Sequence, residues 1–473
     1  MEPSDALVFF GATGNLAHKK IYPSLAALVA KGQLKIPVIA VYRSKGDKEN
    51  LLEHVHDSLA AHGGFDAATI TKLTDLIHGV DGDYSDPQTF AKLRAALGDA
   101  KHPLHYLAIP PSLFATVTAS LGASGCAEGA SVVVEKPFGR DLASSKELND
   151  ALHQVFDEAH VFRIDHYLGK EAVMGLAYFR FANAFLEPIW NRNYVKSVQI
   201  TLAESFGVDG RGSFYEDVGA LRDVVQNHVL QVLTMVAMEP PSGQGPEGVR
   251  DEKVKVLRAM PPIKTTDVVR GQYEGYRTEA GVASDSTTET FVALRAEVDT
   301  WRWSGVPFYL RAGKGLATTA MEVWVELKRP PAGVQIGQVG PTEANSLHFR
   351  LSPDVSISLA ANVKAPGSKM KGEQVELEFN QIASADGLDP YERLLGDALK
   401  GDTTLFTRED TVEASWQVID GILGDATPVH PYFRGSWGPE AADRLVKDGE
   451  WHNPEPTETG PAQPPSGDDH KEN

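Results

Sequence analysis

Apolar residues along the chain fall into two rhythms. Residues 6–10 (Ala-Leu-Val-Phe-Phe) form an unbroken apolar run of the buried-strand kind, and residues 36–42 form another. Between them Leu16, Ile21, Leu25, Leu28 and Val29 recur at helical spacing over 16–31, so the chain opens on a βαβ unit. The alternation continues with helices over 48–61, 67–77, 87–97 and 111–121 and strands over 104–109 and 132–135. A helix reaching about residue 181 and a strand over 195–203 follow. Residues 217–238 are then apolar on nearly every side, as in a mostly buried helix. From residue 288 the texture changes to strands, at 290–298, 306–311, 322–327, 346–351, 355–360 and 375–379, closed by helices at 391–399 and 410–423. The pattern predicts an α/β Rossmann-like dinucleotide-binding domain over 1–165 and a larger α+β domain on a mostly antiparallel sheet over 166–452. Residues 453–473, rich in Pro, Gly and acid, are expected to be a disordered tail.

Composition narrows the partners. The 473 residues carry a formal charge of −19, with 42% hydrophobic and 23% charged residues. That balance disfavours nucleic acid and anionic membranes, and an anionic substrate needs local Lys, Arg and His against the overall field. Cys126 is the single cysteine, which excludes an internal disulfide and a thiolate metal cage. No long uncharged apolar segment and no basic leader at MEPSDALVFF are seen, so a cytoplasmic protein is expected.

Two stretches carry chemistry. Strand, Gly11-Ala12-Thr13-Gly14 and helix, in that order, form a phosphate site of backbone N–H groups and helix dipole. At the end of the second strand an NAD site usually has an acid for the ribose hydroxyls. Arg43-Ser44-Lys45 stands here and suits a 2′-phosphate, with Asp47 as the rival; the expected cofactor is therefore NADP, with NAD the alternative. Tyr106, Lys136 and Pro137 lie at strand carboxyl ends, where the nicotinamide of such a fold sits, and Pro137 is a candidate cis proline. The second stretch is RIDHYLGK, residues 163–170. Adjacent Asp165 and His166 point apart and need separate partners, while Tyr167 and Lys170 supply a hydroxyl and an ammonium for an anion. In the buried helix Arg222, Asp223, Asn227 and His228 need partners; α-helical spacing puts Asp223 and Asn227 on one face and His228 off it.

Taken in order, GATGNLAHKKIYPSL, EKPFGRDL, RIDHYLGKE, FANAFLEPIWNR, DVVQNHVLQVLTMVAMEPP and VRDEKVKVL closely resemble the glucose-6-phosphate dehydrogenase family, over residues 7–451. The resemblance implies oxidation of the sugar phosphate at C1 with hydride transfer to NADP or NAD, without a metal. It implies that His228 is the general base and Asp165 the carboxylate that orients it. His166, Tyr167 and Lys170 match the phosphate grip, Glu204, Asp223 and Lys314 the sugar contacts, and Lys136 reaches sugar and cofactor. Gly11, Thr13, Gly14, Leu16, Arg43 and Tyr106 match cofactor positions, with Lys20 near both ligands. A homodimer or homotetramer formed through the large sheet is implied.

Departures from the family pattern are local. Thr319 stands where a second phosphate-holding cation is common, and Ser352 where a substrate-contacting glutamine is found in animal enzymes. Loss of one charged hydrogen bond costs about 1.5–3 kcal/mol, so a weaker phosphate grip is expected. Asn15 replaces a more usual Asp, and the basic residues of a second, structural NADP site are mostly missing over 319–326. The alternatives carried are the same chemistry on another C6-substituted hexose and a non-catalytic NADP sensor.

Overall fold

The structure is a computed structural model that describes residues 2–43, 48–243, 245–331, 343–367, 371–380 and 388–456. Ser44, Lys45 and Asp47, and the expected tail beyond residue 456, lie outside the described residues.

The first sheet contains β1 (Ala6–Phe10), β2 (Val38–Tyr42), β3 (Ile77–Asp81), β4 (Pro103–Leu107), β5 (Ser131–Val134) and β6 (Val161–Arg163). All pair in parallel, in the order β3-β2-β1-β4-β5-β6. This is the doubly wound order, whose direction reverses between β1 and β4 and leaves a crevice at their carboxyl ends. Every residue of β1 is fully buried, as its unbroken apolar run requires. β3 and β6 are additions to the sequence reading. β3 reads Ile-His-Gly-Val-Asp with only Ile77 and Val80 buried, and β6 is three residues long, so neither makes a long apolar run.

The second sheet contains β7 (Val195–Ala203), β8 (Val268–Tyr273), β9 (Phe291–Glu297), β10 (Pro307–Gly313), β11 (Ala320–Leu327), β12 (Ser346–Ser352), β13 (Ser356–Lys364), β14 (Gly372–Asn380) and β15 (Val429–Tyr432). Their order is β14-β13-β12-β11-β7-β10-β9-β8-β15. Most pairs are antiparallel as expected, but β7 with β10 and β8 with β15 are parallel. β8 and β15 escaped the sequence reading because Arg270, Gly271 and Gln272, and His430 and Pro431, interrupt their apolar character.

The helix expected over 217–238 is three pieces. Gly219, at φ +65° and ψ 172°, breaks it, and Leu221–Val229 is wound as a π-helix before Leu230–Ala237 resumes the α form. At the break the Glu289 carboxylate accepts the Leu221 N–H at 3.1 Å and takes the space a Gly219 side chain would need.

Past β1 the chain turns at Gly11, with φ +80°, where an added Cβ would lie 2.1 Å from the Ala108 carbonyl oxygen. The turn closes through Gly14 N–H to the Gly11 carbonyl at 2.9 Å, and Thr13, Gly14 and Asn15 are exposed at its crest. Gly11→Ala meets both a positive φ and a backbone collision. It should destabilise the fold by at least about 1–3 kcal/mol, read as a lowered thermal midpoint.

Candidate active site

Parallel pairing of β7 with β10 sets Ala203 beside Gly313, so the next residues, Glu204 and Lys314, leave the sheet side by side. Lys314 Nζ meets Glu204 Oε2 at 2.6 Å and Asp223 Oδ2 at 3.8 Å. Burial works against the Lys314 charge, but the two carboxylates outweigh it and raise its pKa. Asp223 is shared: its Oδ1 lies 3.8 Å from Lys136 Nζ, which also donates to the Asp223 carbonyl at 3.3 Å. Lys136 stands two residues beyond β5, ahead of a cis Lys136–Pro137 bond.

Lys136 Nζ lies 3.0 Å from His228 Nε2, and His228 Nδ1 lies 2.6 Å from Asp165 Oδ1. An ammonium only donates and a carboxylate only accepts, which fixes a neutral imidazole with its proton on Nδ1 and its lone pair on Nε2. Burial alone would raise the Asp165 pKa; the adjoining His228 ring and its hydrogen bond, with His166 and Lys136, overcome it and hold the carboxylate well below its ordinary range.

One π-helical turn explains why Lys136 reaches both Asp223 and His228. With i→i−5 hydrogen bonding, residues five apart stack over one another. Asn227 Nδ2 accordingly donates to the Arg222 carbonyl at 3.0 Å, and its Oδ1 accepts the His228 N–H at 2.7 Å. The α-helical face argument, which set His228 apart from Asp223, is corrected by this winding.

The octapeptide is a tight turn after β6. The Asp165 carbonyl accepts from Leu168 N–H at 3.0 Å and its side chain from Tyr167 N–H at the same distance. Asp165 and His166 do not pair with each other: Asp165 bonds His228, and the His166 ring lies edge-on to His228 at 4.7 Å and stacked on Tyr391 at 6.1 Å. Tyr167 stacks on His228 at 4.0 Å, and Lys170 Nζ caps the Tyr167 ring at 3.7 Å. Burial pushes the Lys170 pKa down to about 8, against the pull of Asp165 and Glu204. Its ammonium has no ion pair or side-chain hydrogen bond among the described residues and rests on the Tyr167 ring. Arg163, by contrast, is structural: buried, it binds Glu158 at 2.8 Å and Asn149 at 2.9 Å.

The nucleotide side is more open. Arg43 is exposed at the end of β2 and pairs with Asp83 at 3.2 Å. Leu16 is half-buried beneath the glycine turn, and Lys20 binds Asp389 at 3.3 Å. Tyr106 is not on the surface: it is 1% exposed, edge-on to Phe9, with its hydroxyl bound to Glu135. Thr319 holds Ser205 N–H at 3.0 Å, beside Glu204, and supplies no charge. Ser352 ends β12 opposite Met321.

Residues 8–175 match the family model "Glucose-6-phosphate dehydrogenase, NAD binding domain" and residues 177–452 match "Glucose-6-phosphate dehydrogenase, C-terminal domain". The chain belongs to the glucose-6-phosphate dehydrogenase family. Curated members include glucose-6-phosphate 1-dehydrogenase 1 of Mycobacterium tuberculosis, 43% identical across 94% of this chain and 95% of that one. The Rhizobium meliloti glucose-6-phosphate 1-dehydrogenase is 40% identical across 94% and 96%. The crystal structure of the Mycobacterium avium family member superposes with a TM-score of 0.90 at 43% identity, covering 97% of this chain and 100% of that one. A family structure described as in complex with its substrate glucose-6-phosphate gives 0.88 at 34% identity, over 96% and 99%.

Beyond the site residues read from the sequence, the structure adds Lys253. It is 3% exposed, burial lowers its pKa to about 8, and the Asp165 charge opposes that shift. VRDEKVKVL contained it, but a lysine at a core helical position gives no sign of its neighbour. Asp165, with its depressed pKa, stabilises the fold above the ordinary carboxylate value of 3.8 and loses that contribution as pH falls through the folded value. Asp165→Asn should therefore lower the thermal midpoint at pH 7, with the gap to wild type closing below pH 3.8.

Proposed function

We propose that this protein oxidises glucose 6-phosphate at C1 to 6-phosphoglucono-lactone with hydride transfer to NADP, the first step of the oxidative pentose phosphate route. The observation that carries the reading is the buried Asp165–His228–Lys136 line, whose Lys136 end is linked through Asp223 to Lys314 and Glu204. Substrate displaces Lys136 from Nε2. His228 Nε2 takes the O1 proton as the C1 hydrogen leaves with its electron pair, and Asp165 steadies the imidazolium that forms. Glu204, Asp223 and Lys314 orient the hydroxyls; His166, Tyr167 and Lys170 hold the phosphate.

The nucleotide fits the chain's own residues. Gly11 lets the turn pack tightly against Ala108, Thr13 and Gly14 offer exposed backbone at the helix start, and Leu16 and Lys20 follow on the helix. Arg43 is the cation available for a 2′-phosphate, while Tyr106, being buried, supports this wall from beneath. When bound, the oxidised nicotinamide supplies one thing, acceptance of the hydride. The proposed compartment is the cytoplasm and the proposed assembly a homodimer or homotetramer, supported by exposed Leu377 and Phe379 on edge strand β14.

Absorbance of reduced nicotinamide tests the reading. Wild type should reduce NADP with glucose 6-phosphate, and His228→Asn should lower kcat by roughly 10²–10⁴-fold. Equal rates would remove the base from the mechanism. Arg43→Ala should raise KM for NADP about tenfold or more while leaving that for NAD in place.

Lys170 sets a pH signature. A phosphate dianion binds the ammonium form, so KM for glucose 6-phosphate should climb as pH rises through about 8, where free-enzyme Lys170 loses its proton. Lys170→Arg, charged at every such pH, should remove that rise.

A further inference from the structure

A second cluster of convergent ligating atoms lies on the large sheet, on residues the reaction does not use. Antiparallel register sets Glu322 of β11 opposite Arg350 of β12, and Trp324 opposite His348. Alternation along each strand puts all four side chains on one face. The other face carries Val323, Val325, Leu347 and Phe349 in the core. Over the polar face runs the segment that brings in His452. Its N–H donates to Gln199 Oε1 at 2.8 Å, its carbonyl accepts from Arg311 at 2.8 Å, and its ring stacks on Trp324 at 3.9 Å.

Glu322 Oε2, His348 Nε2 and His452 Nε2 thereby converge. The carboxylate oxygen is 2.8 Å from the first imidazole nitrogen and 3.5 Å from the second, and all three lie within 4.8 Å of one another. All three atoms are buried, and none makes a hydrogen bond of acceptable alignment. Buried polar atoms are normally satisfied, so three orphans aimed at one point want a shared partner. A tetrahedral ion with bonds near 2.0–2.1 Å would hold its ligands roughly 3.3 Å apart, between the two separations seen here. The outer contacts are also in place: Arg350 binds the far carboxylate oxygen at 2.8 Å, and Trp324 and Gln199 fix the orientation of His452.

We propose that Glu322, His348 and His452 form a structural site for a divalent transition metal of the zinc class, clipping the C-terminal segment to the large sheet. Two imidazoles and one carboxylate suit zinc or cobalt rather than calcium or magnesium, and a water completes the coordination. The site lies outside the catalytic constellation, so the ion acts on stability and not on hydride transfer.

The test uses the full chain, stripped with chelator and desalted, then titrated with zinc chloride alone and separately with cobalt chloride alone. Expected are one retained zinc per chain by elemental analysis, a raised thermal midpoint, a visible cobalt band of low coordination number, and quenching of Trp324 fluorescence by cobalt. His348→Ala and His452→Ala should each lose all four, and His452→Gln guards against a packing defect at that position. NADP reduction, kept by each variant, reports that the fold is intact. No retained zinc in the wild type would overturn the proposal and leave Glu322 as a proton-linked ionic centre. Zinc retained equally by the variants would overturn it too, placing the ion elsewhere, with Asp165–His166–His228 and His153–Glu158–Glu409 the two other clusters of such atoms among the described residues.

Discussion

Everything at the site depends on one buried contact, Asp165 Oδ1 to His228 Nδ1 at 2.6 Å. It joins the end of the Rossmann-like sheet to the helical segment that packs on the other sheet. Both side chains are almost fully enclosed, at 2% and 1% exposure. A carboxylate so placed is costly unless paired, and removing one partner of such a pair typically costs about 3–5 kcal/mol. The contact therefore fixes the relative placement of the two units as well as the tautomer of His228. Lys136 acts on the opposite nitrogen: its ammonium donates an N–H to Nε2 at 3.0 Å, so Nε2 accepts and carries no proton of its own. Two charges of opposite sign, one on each side of the ring, thus hold it neutral with its lone pair forward.

The sugar side comes from an exception in the large sheet. Antiparallel neighbours would deliver opposite ends to any one place, whereas the parallel pair β7–β10 delivers two carboxyl ends together. Glu204 and Lys314 follow from that register, and the π-helical turn adds Asp223 between Lys314 and Lys136. A break at Gly219, capped by Glu289, lets that segment begin at the required place.

Much of this was legible in the sequence because buried strands and amphipathic helices have distinct apolar periods. Ala6–Phe10 and Val195–Ala203 were read with their bounds. The helix–strand order gave the fold class, and the glycine turn gave the nucleotide crevice. Failures had physical causes. β6 is too short to show a period, and β8 and β15 are interrupted by polar residues, Gly and Pro. The catalytic helix was read with an α-helical period, which misplaces His228 relative to Asp223 in a π-helix. Roles for Asp165 and His228 came from family motifs, since no spacing rule pairs residues 63 apart in the chain. The Glu322, His348 and His452 convergence joins two strands and a C-terminal segment, a tertiary fact with no sequence period.

The central claim is that Asp165 and Lys136 together lock one neutral tautomer of His228. Nitrogen-15 imidazole spectra of the full protein at neutral pH, assigned by comparison with His228→Asn, read it directly. The account predicts a protonated Nδ1 and a bare, pyridine-like Nε2 for His228, and loss of that pattern in Asp165→Asn. A proton found on Nε2 with Nδ1 bare would contradict it, because the lone pair would then face Asp165 and no base would face the sugar.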